Sequence, residues 1–465
     1  MHLMSKKGRP VYILGAGFSR AISSEMPVTD ELGREIKRRL KGEIAFNLRS
    51  GQTFEEWLTL QMTPLPFLPA HVNARRSAGA ARVISEIASI LDLRSDSAAN
   101  TDVPPWLLAL VQVWGAEGAI IITFNYDLLL ERAVTHARLV SRPGHIIRYG
   151  DELVFPAPSV TSAQYAGDTG LDHLSGSFQV LKMHGSLNWF GSGSKSGSAD
   201  LLRSREKRGY AGHEAMIADV DYSGLRQLDR YLIPPMTSKD GYYSSSMMTS
   251  IWREAGVAIS EATDLFILGY SLPQEDRVVG ELLAGVPVKV SVGVVDLDPG
   301  SIEDARGVVG RLGRLELDAK PLTDGSEAIS RFADLRCVEL ADNFVKRLPE
   351  LPSEFDCLPI FLHRNELSHG SRSAEQYGLE VEGPHVLSLG DKMPPPYARS
   401  DKTSALSIAR LKAIGADGQK LALRLGEGEG SVLVVGLELS DGEAYLLTAA
   451  SPVACYPTIG DNGGT

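Results

Sequence analysis

The stretch VYILGAGFSR, residues 11–20, begins with four apolar residues and then breaks into Gly-Ala-Gly before an arginine. A buried strand that ends in glycines and leads into a helix lets the backbone approach a pyrophosphate closely. The pattern of redox dinucleotide-binding domains has a further glycine where this chain has Arg20, followed by a strand that ends in Asp or Glu. A helical pattern follows here instead. The stretch therefore predicts a tight turn from strand to helix and disfavours hydride transfer.

Composition and charge limit the classes of partner. The 465 residues are 43% hydrophobic and 23% charged, with a net charge of -11 that disfavours indiscriminate binding to nucleic acid or anionic membranes. No run approaches the roughly 20 apolar residues that span a bilayer. Cys337, Cys357 and Cys455 lie far apart, which favours neither a zinc module nor a disulfide framework. We expect a reduced, cytoplasmic protein without direct nucleic-acid or membrane contacts.

Short apolar runs alternate with helical patterns over the first three quarters of the chain. This alternation predicts an α/β fold, a doubly wound parallel Rossmann-like sheet covered by helices. The runs that we expect to form the buried strands are VYILG at 11–15, GAIIITF at 118–124, FQVLKMHG at 178–185, TDLFILGYS at 263–271 and VPVKVSVGVVD at 286–296.

The pattern also predicts how the chain divides. Helical periodicity dominates residues 30–115, which we interpret as a helical insertion within a domain spanning 9–348. Prolines near residue 350 indicate a boundary. The segment 353–465 then predicts a small, partly β accessory domain of unknown role, in which three strands are joined by Gly-Glu-Gly and Asp-Gly turns.

Polar residues follow several of the predicted strands directly. The carboxyl ends of parallel strands share one sheet edge, where open α/β folds bind ligands. Each residue also has a structural alternative, since Asp127 can cap a helix, Asn125 can satisfy turn backbone and a single histidine is more often structural. The candidates are Thr123, Asn125 and Asp127 in ITFNYD, His184 in KMHGS, Gly269 and Ser271 in FILGYSLPQED, and Asp296 in VVDLDP.

The ordered set GAGFS, TFNYD, MHGS, LGYS and VVDLDP resembles the sirtuin superfamily. The forms FNYD, HGSLNW and ILGYSLPQED are similar to its bacterial antiphage-defence branch, whose members hydrolyse NAD. The resemblance covers about residues 9–310, and the Asn-x-Asp and His-Gly motifs are its most specific parts. It implies that NAD is bound as a substrate.

The resemblance also implies residue roles. Asn125 would position the ribose or the attacking water, and Asp127 would hydrogen-bond the nicotinamide carboxamide. His184, whose type has an ordinary pKa of about 6.5, would be the catalytic general base. The other residues that we expect to contact the dinucleotide are Gly15, Ala16, Gly17, Phe18 and Ser19 at the pyrophosphate, Thr123 beside them, and Gly269, Ser271 and Asp296 at the phosphates and the adenosine ribose.

Departures from the sirtuin pattern limit the reaction. Sirtuin deacylases carry a four-cysteine zinc module after the His-Gly, where this chain has a Gly/Ser-rich loop and no cysteine before Cys337. We therefore expect no metal, and water as the acceptor. The expected activity is an NAD glycohydrolase that gives nicotinamide and ADP-ribose, with a non-catalytic NAD or ADP-ribose sensor and an NAD-dependent protein deacylase as alternatives.

An unrestrained NAD hydrolase is toxic to its own cell. The resemblance therefore implies the effector of an antiphage abortive-infection system that is held inactive until triggered. We expect a homo-oligomer, a separate defence-system protein that triggers activation, or both.

Overall fold

The computed structural model describes the chain in segments. The described residues are 8–137, 140–142, 145–146, 163–165, 178–191, 201–203, 229–237, 239–243, 246–272, 276–287, 289–296, 320–323, 327–347, 357–359, 379–382, 386–389, 405–407, 422–424, 431–440 and 443–448. The Gly/Ser-rich loop at 192–200 and residues 297–299 of VVDLDP, both singled out in the sequence, lie outside them.

The first 350 residues contain both helices and strands, with five successive helices after β1 and a run of short strands after α6. The helices are α1 (Ala16–Ile22), α2 (Thr29–Arg39), α3 (Phe54–Met62), α4 (Ala70–Ala99), α5 (Pro105–Glu117), α6 (Leu129–Ala137), α7 (Asp240–Tyr243), α8 (Ser246–Ser260), α9 (Arg277–Ala284) and α10 (Ala328–Arg347). The strands up to the last helix are β1 (Val11–Leu14), β2 (Ile120–Thr123), β3 (Val140–Arg142), β4 (His145–Ile146), β5 (Ala163–Tyr165), β6 (Gln179–Lys182), β7 (Gly185–Gly191), β8 (Leu201–Arg203), β9 (Asp229–Leu232), β10 (Asp264–Leu268), β11 (Ser291–Val295) and β12 (Lys320–Thr323).

A parallel sheet forms the centre of the protein. Its strands lie in the order β12-β11-β10-β1-β2-β6, and every neighbouring pair is parallel. The chain moves outward from β1 through β2 to β6, then returns to the other side of β1 and continues through β10 to β12. The winding direction thus reverses between β1 and β10. The prediction of an α/β fold built on a parallel sheet is confirmed.

The register brings the ends of the central strands level. Leu14 at the end of β1 pairs with Leu268 of β10 and with Thr123 of β2, and Thr123 pairs in turn with Lys182 at the end of β6. The residues that follow these strands therefore meet at one edge of the sheet.

Both faces of the sheet are covered, which explains why its strands are almost continuously apolar. On one face, Tyr12 and Leu14 join a buried cluster with residues of α5 and α10. On the other, Val11 and Ile13 pack with residues of α8 and α9. Alternate side chains of a strand point to opposite faces, so each strand stabilises both layers.

Helices α2 to α5 occupy the predicted insertion. A third cluster of buried apolar residues joins α2, α3 and α4 to Leu187 of β7 and Leu232 of β9. Helix α3 begins with a capping box, in which the Thr53 hydroxyl accepts from the Glu56 backbone N–H while the Glu56 carboxylate accepts from the Thr53 N–H. An ion pair between Arg230 of β9 and Asp92 of α4 adds a polar contact between the insertion and the strands. The insertion is thus packed onto the rest of the chain.

The described part of 353–465 consists of strands. They are β13 (Cys357–Pro359), β14 (Leu379–Glu382), β15 (Val386–Leu389), β16 (Ala405–Ser407), β17 (Ala422–Arg424), β18 (Ser431–Ser440) and β19 (Glu443–Thr448). The three strands expected near the C-terminus are β17 to β19, paired antiparallel. Strand β18 contacts α5 and α10. That this segment is a separate accessory domain stays a prediction.

No described helix combines the length and the apolarity needed to cross a membrane.

Three glycines bring two strand ends into backbone contact. The Gly15 N–H donates to the Leu268 carbonyl (3.1 Å), and the Gly17 N–H donates to the Gly269 carbonyl (2.8 Å). A Cβ on Gly15 would lie 2.5 Å from the Gly269 oxygen, and one on Gly17 would lie 2.9 Å from the Gly269 Cα. Gly269 has a φ of +58°, a backbone conformation that residues with a side chain rarely adopt. Close packing between β1 and β10 therefore requires these glycines.

Gly269→Ala should lower the free energy of unfolding by about 3 kcal/mol, because a Cβ there overlaps the Phe18 nitrogen in an already unfavourable backbone region. The control is Gly280→Ala on α9, where a Cβ meets no atom within 4 Å. That variant should gain roughly 0.5–1 kcal/mol from helix propensity. Urea unfolding measures both, and equal stabilities of the two variants would contradict the packing argument.

Candidate functional site

One polar cluster lies where β1 and β2 end. The Asn125 Nδ2 donates to the Gly15 carbonyl (2.7 Å) and to the Ser19 hydroxyl (2.8 Å). Ser19 in turn donates to Asp127 Oδ2 (2.6 Å), and Asp127 Oδ1 accepts from the Leu129 N–H (3.1 Å). Thr123 Oγ1 accepts from the Asn125 N–H (3.2 Å). We call Ser19, Thr123, Asn125 and Asp127 the Asn125 cluster.

The carboxyl and amide groups of this cluster also have structural roles. Asp127 caps the start of α6, which is the structural role that its position in the sequence also allowed. The Asn125 amide ties the segment after β2 to the turn before α1. No described residue donates a hydrogen bond to its carboxamide oxygen.

A buried ion pair between Lys182 and Glu131 contacts the Asn125 cluster at Asp127. Lys182, at the end of β6, donates to the Asp127 carbonyl (2.7 Å) and to the Glu131 carboxylate (2.9 Å). Both side chains are almost fully buried. A small cavity of about 10 Å³ lies among Ser19, Asn125 and this pair, a space that suits one water molecule. In this conformation it is too small for a nicotinamide ring.

A second polar cluster surrounds His184, which follows β6. Its Nε2 lies 3.3 Å from the Lys239 ammonium. Lys239 also forms an ion pair with Asp276, and Asp276 Oδ2 accepts from the Tyr270 hydroxyl (2.8 Å). These four residues, the His184 cluster, are buried or nearly so.

Burial and positive charge keep His184 neutral. Desolvation and the neighbouring Lys239 ammonium lower the pKa of His184 to about 3, although Asp276 acts in the opposite direction. Burial alone would raise the pKa of Asp276, but Lys239 and His184 outweigh it and hold that pKa below its ordinary value. The cluster therefore carries a neutral imidazole beside an ion pair.

The segment after β2 separates the two clusters. The side chains of Thr123, Asn125 and Asp127 bond within the Asn125 cluster, whereas Phe124 and Tyr126 pack against His184 with ring centroids at 5.1 and 6.2 Å. No hydrogen bond among the described residues joins Asn125 to His184. The resemblance assigns both residues to the same reaction, and the structure puts them in adjacent clusters that share one stretch of backbone.

The remaining predicted ligand contacts lie along the same edge. The N–H groups of Gly15, Gly17 and Phe18 all donate to backbone carbonyls, so the turn already uses donors that a pyrophosphate would need. The Gly269 N–H donates to Val295 at the end of β11, which places Asp296 beside the β10 turn. The other positions are Ala16 at the first residue of α1 and Ser271, which is exposed.

The sequence did not single out Lys239, Lys182, Glu131 or Tyr270. Lys239 lies in LIPPMTSKD at 232–240, which resembles a pocket segment of antiphage-defence sirtuins but was given no role because proline-rich turns of this sort are common. Lysines are also common on protein surfaces. Lys182 has a weak signal, since it is a charged residue at the end of an otherwise apolar strand. Asp276 lay within ILGYSLPQED but was given no role.

Comparison with models of known protein families finds no match for this chain, and no curated protein matches it. Among the described residues, no group of three or more His, Cys, Asp or Glu side chains is arranged to hold a metal ion.

The lowered pKa of His184 makes stability depend on pH. Between its ordinary pKa of about 6.5 and about 3, the unfolded chain binds a proton at this residue that the folded protein does not. The free energy of unfolding should therefore fall as the pH drops from 6.5 to 4, by up to about 1.4 kcal/mol per pH unit for this one proton. Denaturant unfolding of the wild type and of His184→Gln measures the slope, which should be shallower in the variant.

His71→Gln, at an exposed position of α4, is the matched control and should keep the wild-type slope. Identical slopes in all three proteins would show that His184 is protonated equally in the folded and unfolded chains.

Proposed function

We propose that this chain binds NAD at the carboxyl edge of its sheet and hydrolyses the bond between nicotinamide and ribose. The supporting observation is the coincidence of a winding reversal with the predicted motifs. Numbered along the chain and read from β6, the sheet has the strand order 3-2-1-4-5-6, that of doubly wound, Rossmann-like dinucleotide-binding domains. The Gly-Ala-Gly turn follows the strand at the reversal, and Asn125 bonds directly to it.

The reaction requires the protein mainly to orient the substrate and the attacking water and to provide polar groups near the ribose. Nicotinamide leaves ribose as a neutral molecule, so no acid is needed to protonate it, and the transition state resembles an oxocarbenium ion. Water then adds to the anomeric carbon and loses a proton, giving ADP-ribose. The Asn125 carboxamide oxygen is available to orient that water or a ribose hydroxyl, and Asp127 is the residue proposed to bind the nicotinamide carboxamide.

His184 is the proposed acceptor of the proton. It is neutral throughout the physiological range, so its imidazole can bind a proton from water or a ribose hydroxyl. The same low pKa makes it a weak base in this arrangement. The pyrophosphate of a bound dinucleotide brings negative charge to this edge, which would raise the proton affinity of His184 when the substrate is present.

Binding a dinucleotide requires a change at this edge. The cavity beside Asn125 suits one water, and the N–H groups of the glycine turn already have partners. A non-catalytic NAD or ADP-ribose sensor is therefore the second candidate, favoured by the contact between Lys239 and the Nε2 that a base would use. A deacylase is the third candidate. It is disfavoured because the chain has no cysteine before Cys337 and so lacks the four-cysteine zinc module of sirtuin deacylases.

The wider role follows from the proposed reaction. An NAD hydrolase acting as the toxic effector of an antiphage system in the cytoplasm must be restrained, and the small size of the cavity fits a resting form. We propose that assembly of a homo-oligomer, a separate trigger protein, or both open the site. The helical insertion at about 30–115 and residues 353–465 are the candidate regions for a gate, an oligomer contact or a docking face.

The decisive measurement is chromatography of NAD incubated with the full-length protein. Under conditions that assemble the oligomer or supply the trigger, we expect nicotinamide and ADP-ribose from the wild type, and a loss of at least about 100-fold in rate in Asn125→Ala and His184→Ala. The matched controls are Asn47→Ala and His71→Ala, both at exposed positions, which should keep the wild-type rate.

Calorimetric titration with NAD separates the two leading candidates. NAD affinity that is equal in wild type and His184→Ala, without nicotinamide release from either, would favour the sensor. No binding and no turnover would reject both.

A further inference from the structure

Residues other than His184 hold the Lys239 side chain in place. Its ammonium pairs with Asp276, and Asp276 is fixed by the hydroxyl of Tyr270 at 2.8 Å. Tyr270 in turn stacks on Phe124, with ring centroids 4.7 Å apart. The Lys239 side chain is 5% exposed and that of Asp276 is 10% exposed. A buried ammonium is costly unless it is paired, so this position is strongly determined.

The contact between Lys239 and His184 fixes where the imidazole carries its proton. A lysine ammonium can only donate hydrogen bonds, so the Nε2 that faces it at 3.3 Å must accept. A neutral imidazole then has its single proton on Nδ1. The contact at Nε2 therefore favours this tautomer from the Lys239 side.

The charges around His184 act together with this geometry. Lys239, from the segment before α7, disfavours a positive imidazole, whereas Asp276 before α9 partly offsets it. Two phenols, Tyr126 and Tyr270, belong to this environment, and the Glu55 carboxylate of α3 acts electrostatically on both of them. Burial raises the pKa of Tyr126 and that of Tyr270 well above the ordinary value, so both stay neutral. The uncharged form of His184 is therefore set by one ammonium and by burial.

We propose that Lys239, held by Asp276, is a positioning residue for His184 that fixes its Nδ1–H tautomer. Its catalytic consequence rests on the proposed function. The 3.3 Å separation is longer than an ordinary hydrogen bond, and the ammonium keeps its ion pair with Asp276. A water or a ribose hydroxyl can therefore replace Lys239 at Nε2 and meet a lone pair that is already correctly oriented.

Nitrogen-15 NMR of histidine-labelled full-length protein tests the tautomer directly and without NAD. His184→Gln assigns the signal. We expect the wild type to show the Nδ1–H tautomer, with no protonation of His184 between pH 7 and 5. In Lys239→Met the proton affinity should rise by about tenfold or more, one pKa unit, and the tautomer should become mixed. Lys289→Met, at an exposed position, is the matched control and should match the wild type.

Asp276→Asn distinguishes positioning from general loosening. This variant keeps the ammonium and removes the opposing charge, so His184 should remain unprotonated over the same range. Protonation near the ordinary value in both Lys239→Met and Asp276→Asn would indicate a loosened site and overturn the proposal. So would a wild-type protein with the Nε2–H tautomer, or a Lys239→Met protein with unchanged tautomer and protonation.

Turnover provides a separate readout. If nicotinamide is released, the acidic limb of the pH–rate profile should move to higher pH in Lys239→Met and stay in place in Lys289→Met. If the NMR results are as expected but the wild type releases no nicotinamide, the proposed reaction fails while the tautomer control by Lys239 stands.

Discussion

The backbone contact between the Gly15–Gly17 turn and Gly269 is the constraint on which the candidate site depends. It fixes the distance between the two strands at which the chain reverses its winding, and only residues without a Cβ permit it. Asn125 bonds to the Gly15 carbonyl, and Tyr270, next to Gly269, bonds to Asp276. The backbone contact between the glycine turn and Gly269 therefore helps to position both the Asn125 cluster and the His184 cluster.

Two buried ion pairs lie at the carboxyl edge of the sheet. Lys182 with Glu131, and Lys239 with Asp276, are ion pairs withdrawn from solvent. Such pairs contribute little net stability but are costly to disrupt, so they define positions more than they strengthen the fold. Together with burial, the second pair sets the environment of a neutral His184 imidazole.

Much of the central sheet could be predicted from the sequence, because strands buried on both faces are continuously apolar and end in glycine or polar residues. VYIL at 11–14 and IIIT at 120–123 are such runs. The strand at the end of VPVKVSVGVVD is shorter than its pattern, since β11 begins only at Ser291, after the turn at Pro287. Periodicity alone does not distinguish that turn from a strand.

The candidate site could be predicted only in part. Residues directly after strands were found because their location follows from parallel pairing. Their partners were not, because Lys239 and Asp276 come from segments between helices, and a sequence does not show which ammonium is buried. The division between the Asn125 and His184 clusters was also missed, since it depends on alternation of side chains continuing beyond the end of β2.

That alternation has a mechanical consequence. Residues 123–127 carry the Asn125 cluster on one side and the rings that contact His184 on the other. A ligand that pulls Asn125 from the glycine turn must rotate peptides that also carry Phe124 and Tyr126. Occupancy on one side and the environment of the imidazole on the other are then thermodynamically linked, and the linkage operates with equal strength in both directions.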